Sequence, residues 1–217
     1  MLLAEKLFLL LIDDEKQKIP WIYVSGGNNV GAGLAGAHLI DLFFEKKIEF
    51  LQNTKKLRVI DESPTGDDIL DFILDLIKKY EKEKRLFNIL RTLLGKKGRE
   101  GRGFYYSKKP KFIINSIMDR LIKKGIISWE GNQQKMLKPE IKKEILEEIH
   151  SIALENKDPD EKMVYFLTII YAMRDIALRR MFTRQVRDKA KARIKLLTKS
   201  NKSMKLAIYK AREPMYR

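Results

Sequence analysis

The chain has no cysteine, two histidines, two tryptophans and six prolines among 217 residues. Without cysteine there are no disulfides and no thiolate metal sites, which suits a reducing compartment. The two histidines, His38 and His150, stand alone, so neither a metal centre nor any other cofactor is expected. Long apolar runs are missing too. The run Leu7 to Ile12 is far shorter than the roughly 20 residues that cross a bilayer. It is followed by Asp13-Asp14-Glu15 and has no small-residue cleavage site, so it does not read as a signal peptide. The expected location is cytoplasmic, either free or peripherally attached to a membrane.

Positive charge is abundant. Lysine and arginine number 45 against 29 acids, a net charge of +16 and a pI near 9.8. Such an excess points to polyanionic partners, either an anionic membrane surface or nucleic acid. Hydrophobic residues at 44% and charged residues at 34% describe a globular chain, and the length suits one domain over residues 1–217.

The organising stretch is Val30 to Phe44, apolar on nearly every side with one internal carboxylate, Asp41. A helix apolar all round belongs inside a bundle. Gly31, Ala32, Gly33, Ala35, Gly36 and Ala37 leave its first turns almost bare, so neighbouring backbones can approach closely. His38 is expected there as a packed, hydrogen-bonded residue. Gly31-x-Gly33-x-x-Gly36 matches the dinucleotide fingerprint, which works only where a strand runs into the first glycine and a βαβ unit follows. Neither context is present, so nucleotide binding is not expected.

Taken in order, Leu2 to Ile12 predict a first helix, and Trp21 to Val24 a short extended piece. After the hub helix, Ile48 to Gln52 and Lys56 to Ile60 predict a hairpin. Thr65 is the expected N-cap of the next helix, with Asp67 and Asp68 in its positive first turn. A helix follows from Arg85 to Leu94, then the basic loop Lys96 to Gly103 and Phe104 to Lys111, then a helix from Phe112 to Lys124 ended by Gly125 in the left-handed region. A second hairpin joins Ile126–Trp129 to Gln134–Leu137. The order helix then hairpin thus occurs twice, through Leu39–Ile48 and Met118–Ile127. Two long helices are predicted over Glu140–Leu154 and Glu161–Phe182. The last segment sets Arg179, Arg180, Arg184, Arg187, Lys189, Lys191, Arg193 and Lys195 around an apolar line of Val186, Ala190, Ile194 and Leu197. Such a helix lies on a membrane or packs that line on the bundle with its charges solvated, and the second arrangement is the one expected.

Together these pieces resemble the Golgi phosphoprotein 3 family. The resemblance rests on Leu3-Ala-Glu5 through Leu11 with Asp13-Asp14-Glu15, Gly33-Leu-x-Gly36 with Leu39-Ile-Asp-Leu42, and Pro64-Thr-Gly-Asp67 with Leu70-Asp71. Leu94-Gly95, Leu121-Ile-x-Lys-Gly-Ile126 and Asp158-Pro159 to Tyr171 complete it. No single piece is specific, but their order and spacing over nearly the whole chain are. The basic arm that precedes the first helix in Golgi members has no counterpart before Leu2.

The resemblance implies an all-α bundle around a buried central helix with short β-hairpins, acting without catalysis. It also implies binding to membranes rich in phosphatidylinositol 4-phosphate and to the cytosolic tails of membrane proteins, and self-association into a homo-oligomer. The family's lipid pocket combines a tryptophan before the hub helix, an arginine early in that helix and two basic residues near the start of the helix after the basic loop. Here Lys111 falls at the first basic position with Lys108 and Lys109 beside it, Ile114 at the second, and Ala35 at the hub arginine. Trp21 lies further from the hub than the family tryptophan. The expected lipid-binding residues are therefore Trp21, Arg99, Arg102, Lys108, Lys109 and Lys111, with general affinity for anionic lipid. The alternative is a winged-helix nucleic-acid binder, suggested by charge and by the two helix-hairpin units. Against it, Met118, Leu121 and Ile122 commit the helix before the second hairpin to packing, so nucleic acid is not the expected partner. Asp13, Asp14, Asp67 and Asp68 are the only paired carboxylates of note, and turn and capping roles explain them without chemistry.

Overall fold

The computed structural model describes residues 1–13, 28–51, 56–79, 84–93, 109–130, 133–173 and 175–201. The first helix, α1 (Leu3–Leu11), is almost wholly buried. Its partner is the hub, α2 (Asn28–Phe44), which packs against α1 and against several of the helices that follow. Val30, Leu34, Leu39, Ile40 and Leu42 are all fully enclosed, as the absence of a polar face requires. The residues Gly31, Gly33 and Gly36 lie inside this helix, and no strand precedes them among the described residues. Gly33 has a packing role: a Cβ there would stand 2.5 Å from Met173 Sδ and 3.4 Å from Leu7 Cδ2.

After α2 the chain forms β1 (Ile48–Leu51) and β2 (Lys56–Val59), then α3 (Asp68–Lys78), β3 (Lys84–Arg85) and α4 (Leu86–Leu93). The strands make an antiparallel sheet in the order β1-β2-β3, with Ile48 opposite Val59 and Lys56 opposite Arg85. The third strand is an addition to the expected hairpin; two residues are too short for an alternating pattern to reveal. The cap of α3 also differs from expectation. Asp67, not Thr65, is the N-cap: its carboxylate accepts from the N–H groups of Ile69 and Leu70, both at 3.1 Å. Thr65 instead accepts from Asp67 N–H at 3.1 Å and donates to Asp71 at 2.7 Å, so the whole turn Thr65 to Asp71 closes on itself.

Next come α5 (Lys109–Lys123), the hairpin β4 (Ile127–Glu130) and β5 (Gln133–Met136), and α6 (Pro139–Leu154). The helix-hairpin unit does recur, and closely. Each helix ends in a Schellman motif, in which the amide of the third residue past the helix reaches back to close the last turn. Lys47 N–H donates to Leu42 O in one copy and Ile126 N–H to Leu121 O in the other, both at 2.9 Å. The left-handed residue is Lys46 (φ 58°) in the first and Gly125 (φ 60°) in the second. The hairpins then return to the same place: Ile60 N–H donates to Lys47 O, and Leu137 N–H to Ile126 O, again both at 2.9 Å.

The remaining elements are α7 (Glu161–Ala172), α8 (Asp175–Met181), α9 (Arg184–Leu197) and a single 3-10 turn, Lys199–Asn201. The expected single helix Glu161–Phe182 is thus two. Buried Ile170, Met173, Ala177, Leu178 and Met181 keep helical phase across the break, so periodicity could not reveal it. The break lets α8 turn onto the end of α1, where Arg180 Nη1 donates to the buried Asp13 at 2.7 Å. Lys142, itself buried on α6, donates to Ile12 O at 2.8 Å and so supplies a cation where the helix dipole of α1 is negative. The apolar line of α9 packs inward, with Ala190 and Ile194 buried and Val186 and Leu197 half-buried. The fold is an all-α bundle around a central helix with two small antiparallel sheets among the described residues. None of the described helices is long and apolar enough to cross a membrane.

Candidate functional site

The expected lipid-binding residues lie at the start of α5 and in the segments before it. Trp21, Arg99, Arg102 and Lys108 fall outside the described residues. Lys109 and Lys111 belong to the first turn of α5, which begins three residues earlier than Phe112, the expected start. Pro110 fits there, because the first turn has no amide partner to lose. No acidic residue occupies this turn, so the positive end of the helix dipole and two lysines share one sign.

What fixes that turn is the body of α5. Ile113, Ile114, Ile117 and Leu121 are buried along one side, and each adds roughly 1.5–3 kcal/mol by leaving water. Ile114 is one of the positions where the family resemblance places a basic residue. It is 6% exposed, and Ala35, at the hub-arginine position, is fully buried. Both have become core.

At the other end, α5 is tied down by charge. Glu5, fully buried on α1, accepts from Arg120 Nε at 3.1 Å and from Lys124 Nζ at 2.7 Å. Arg120 also pairs through Nη1 with Asp67, the cap of α3. The Glu5 carboxylate further accepts from Leu2 N–H at 2.9 Å, satisfying one of the orphan amides of its own helix. Three helices, α1, α3 and α5, are therefore tied together through one carboxylate and the guanidinium that it shares with Asp67. Sequence reading did not single out this cluster, although Glu5, the lone acid in the largely apolar stretch Leu2–Leu11, was a signal for it.

Asp41 is the corresponding group on the hub. Its Oδ2 accepts from Leu3 N–H at 2.9 Å, and Lys162 Nζ lies 3.3 Å from Oδ1 at an angle that makes an ion pair rather than a hydrogen bond. Burial raises its pKa to about 6, against the opposing pull of Lys162 and of the amides of Leu3 and Ala4. The ammonium of Lys162 also stands 5.6 Å over the ring of Phe44, beside a cluster of Phe43, Phe44, Phe50 and Tyr165.

The histidines have structural surroundings. His150 Nε2 lies 2.6 Å from Met181 O, with its ring against Phe182. His38 is packed as expected but not hydrogen-bonded: neither ring nitrogen has a partner among the described residues. Burial pushes its pKa down to about 3, opposed by the Asp67 carboxylate and aided by the Arg120 guanidinium. It is a neutral core residue.

The family model described as Golgi phosphoprotein 3 (GPP34) matches residues 3–212 of the chain. The chain belongs to the Golgi phosphoprotein 3 family. A curated relative, a VPS74-like protein of Dictyostelium discoideum, is 34% identical over 129 residues. That stretch covers 58% of this chain and 46% of the relative, so the chain matches about half of that protein's length. The matched residues include Gly33 to Leu42, Pro64 to Asp71 and Leu121 to Ile126, stretches that carried the resemblance.

Proposed function

We propose that the protein is a non-enzymatic peripheral membrane adaptor, one domain over residues 1–217, that binds anionic lipid head groups through the basic stretch Arg99 to Lys111. Family membership supports the adaptor role, with cytosolic tails of membrane proteins as clients. The single observation that carries the site is the acid-free first turn of α5, held by a buried isoleucine ladder and bearing Lys109 and Lys111. Amides at a helix start and lysine side chains both favour phosphate. The replacement of two family pocket positions by buried Ala35 and Ile114 favours recognition by charge over stereospecific recognition of phosphatidylinositol 4-phosphate. Trp21 serves as an interfacial anchor in this reading.

Co-sedimentation with liposomes tests it, comparing neutral, phosphatidylserine and phosphatidylinositol-4-phosphate membranes at equal surface charge. Equal binding to both anionic membranes is expected, and the combined Lys108→Glu, Lys109→Glu and Lys111→Glu variant is expected to lose it. Unchanged binding by that variant would refute the site.

A further inference from the structure

Helix α9 has a second face. Its inner side packs on α6, α7 and α8 through Ala190 and Ile194. Half a turn away, Asp188, Ala192, Lys195, Leu196 and Lys199 are exposed, flanked by Arg184 and Lys189. At 1.5 Å per residue this face extends about 20 Å along α9 from Arg184 to Leu197, with Lys199 in the turn that follows. Leu196, 62% exposed, is the most exposed of the large hydrophobic residues among those described. On the helical wheel Ala192 and Leu196, one turn apart, sit near the middle of the outer face with cations to either side.

We propose that this outer face is a second membrane-contacting surface, lying flat on an anionic bilayer with Leu196 and Ala192 entering the head-group boundary and the lysines reaching phosphates. The inference rests in part on the peripheral-membrane reading but concerns a different surface from the start of α5, which packs on α1, α2 and β4. Charge complementarity selects an anionic partner: between residues 184 and 199 there are seven basic residues and one acid, Asp188. Arg187 and Arg193 are used internally, the first donating to Phe182 O and the second pairing with Asp158. The apolar middle selects a bilayer. A nucleic-acid backbone would favour cations at the centre and offers Leu196 nothing, whereas a bilayer combines a charged plane with an apolar layer beneath it. One leucine and one alanine make too narrow a strip for a partner helix, whose seam needs apolar residues repeating along its length.

The absence of cysteine allows a direct test. Leu196→Cys, labelled with an environment-sensitive fluorophore, is compared with Asp75→Cys on the exposed side of α3, using phosphatidylcholine vesicles with and without phosphatidylserine. The label at 196 is expected to brighten and shift to the blue with anionic vesicles only, and the label at 75 to stay unchanged. Each lysine at such a surface is worth about fivefold in partitioning, so Lys189→Glu, Lys195→Glu and Lys199→Glu together should weaken binding on the order of 100-fold without changing the melting temperature. Sedimentation with vesicles while the label at 196 stays in water would overturn the inference and leave the membrane reading intact. So would full retention of binding by the triple variant when the Lys108, Lys109 and Lys111 reversals abolish it. No sedimentation with any anionic vesicle would overturn both, and duplex DNA binding without vesicle binding would replace them by a nucleic-acid partner.

Discussion

Asp41 on the hub accepts the backbone N–H of Leu3 at 2.9 Å across 38 residues of sequence. The bond caps the first helix from outside, because Leu2, at the N-cap position, has no side-chain acceptor of its own. It also obliges a carboxylate to sit inside the bundle, at a cost that its raised pKa records.

That cost has a sign that can be measured. With its folded pKa raised to about 6, Asp41 holds more protons in the folded than in the unfolded chain between about pH 4 and 6. Its contribution to stability therefore falls as pH rises through that window and stays low above it. Asp41→Asn keeps an acceptor for Leu3 without the charge, so its urea midpoint should vary less between pH 5 and 7 than that of the parent. Asp41→Ala strands the amide and should cost about 1–3 kcal/mol.

The Glu5 cluster should respond asymmetrically. Glu5→Gln leaves Arg120 with Asp67 and leaves Lys124 free to turn to solvent from its 42% exposed position, for a loss of about 1–2 kcal/mol. Removing both cations, Arg120→Met with Lys124→Met, leaves a fully buried carboxylate unpaired and should cost about 3–5 kcal/mol. Similar losses from the two variants in chemical denaturation would contradict the arrangement.

Gly33→Ala should gain up to about 1 kcal/mol of helix propensity yet be destabilising, because the new methyl meets Met173 Sδ at 2.5 Å in a packed core. Met173→Ala should consequently cost less in the Gly33→Ala background than alone. A double-mutant cycle with no coupling would refute the contact.

The paired Schellman turns offer a matched experiment. Lys46, a non-glycine at φ 58°, should yield about 0.5–1 kcal/mol of stability on substitution Lys46→Gly. Gly125→Ala, with nothing within 4 Å of the new methyl, should lose about the same for conformational reasons alone. Thermal melts of the two variants should move in opposite directions.

Much of the architecture was legible from residue pattern. The hub announced itself by having no polar face, and the twin units by the spacing of Leu39–Ile48 and Met118–Ile127, because helical burial and hairpin turns leave local signatures. The candidate site was less legible. Lys109 and Lys111 were visible as a basic stretch, but that their turn opens α5 depends on Ile113 and Ile114 finding the core. The apolar line of α9 was legible too, and Ala190 and Ile194 pack inward as expected, but that α6, α7 and α8 are what they pack on followed only from the fold.

By itself the sequence determined the helical class, the buried hub, the charge and the family, since each is written in periodicity, composition or ordered spacing along the chain. Tertiary structure alone decided where the α7–α8 break falls, which acids are buried and paired, and that Leu196 is left in water. Those outcomes depend on groups far apart in sequence, such as Asp13 with Arg180 and Glu5 with Lys124, and only packing brings them within reach of one another.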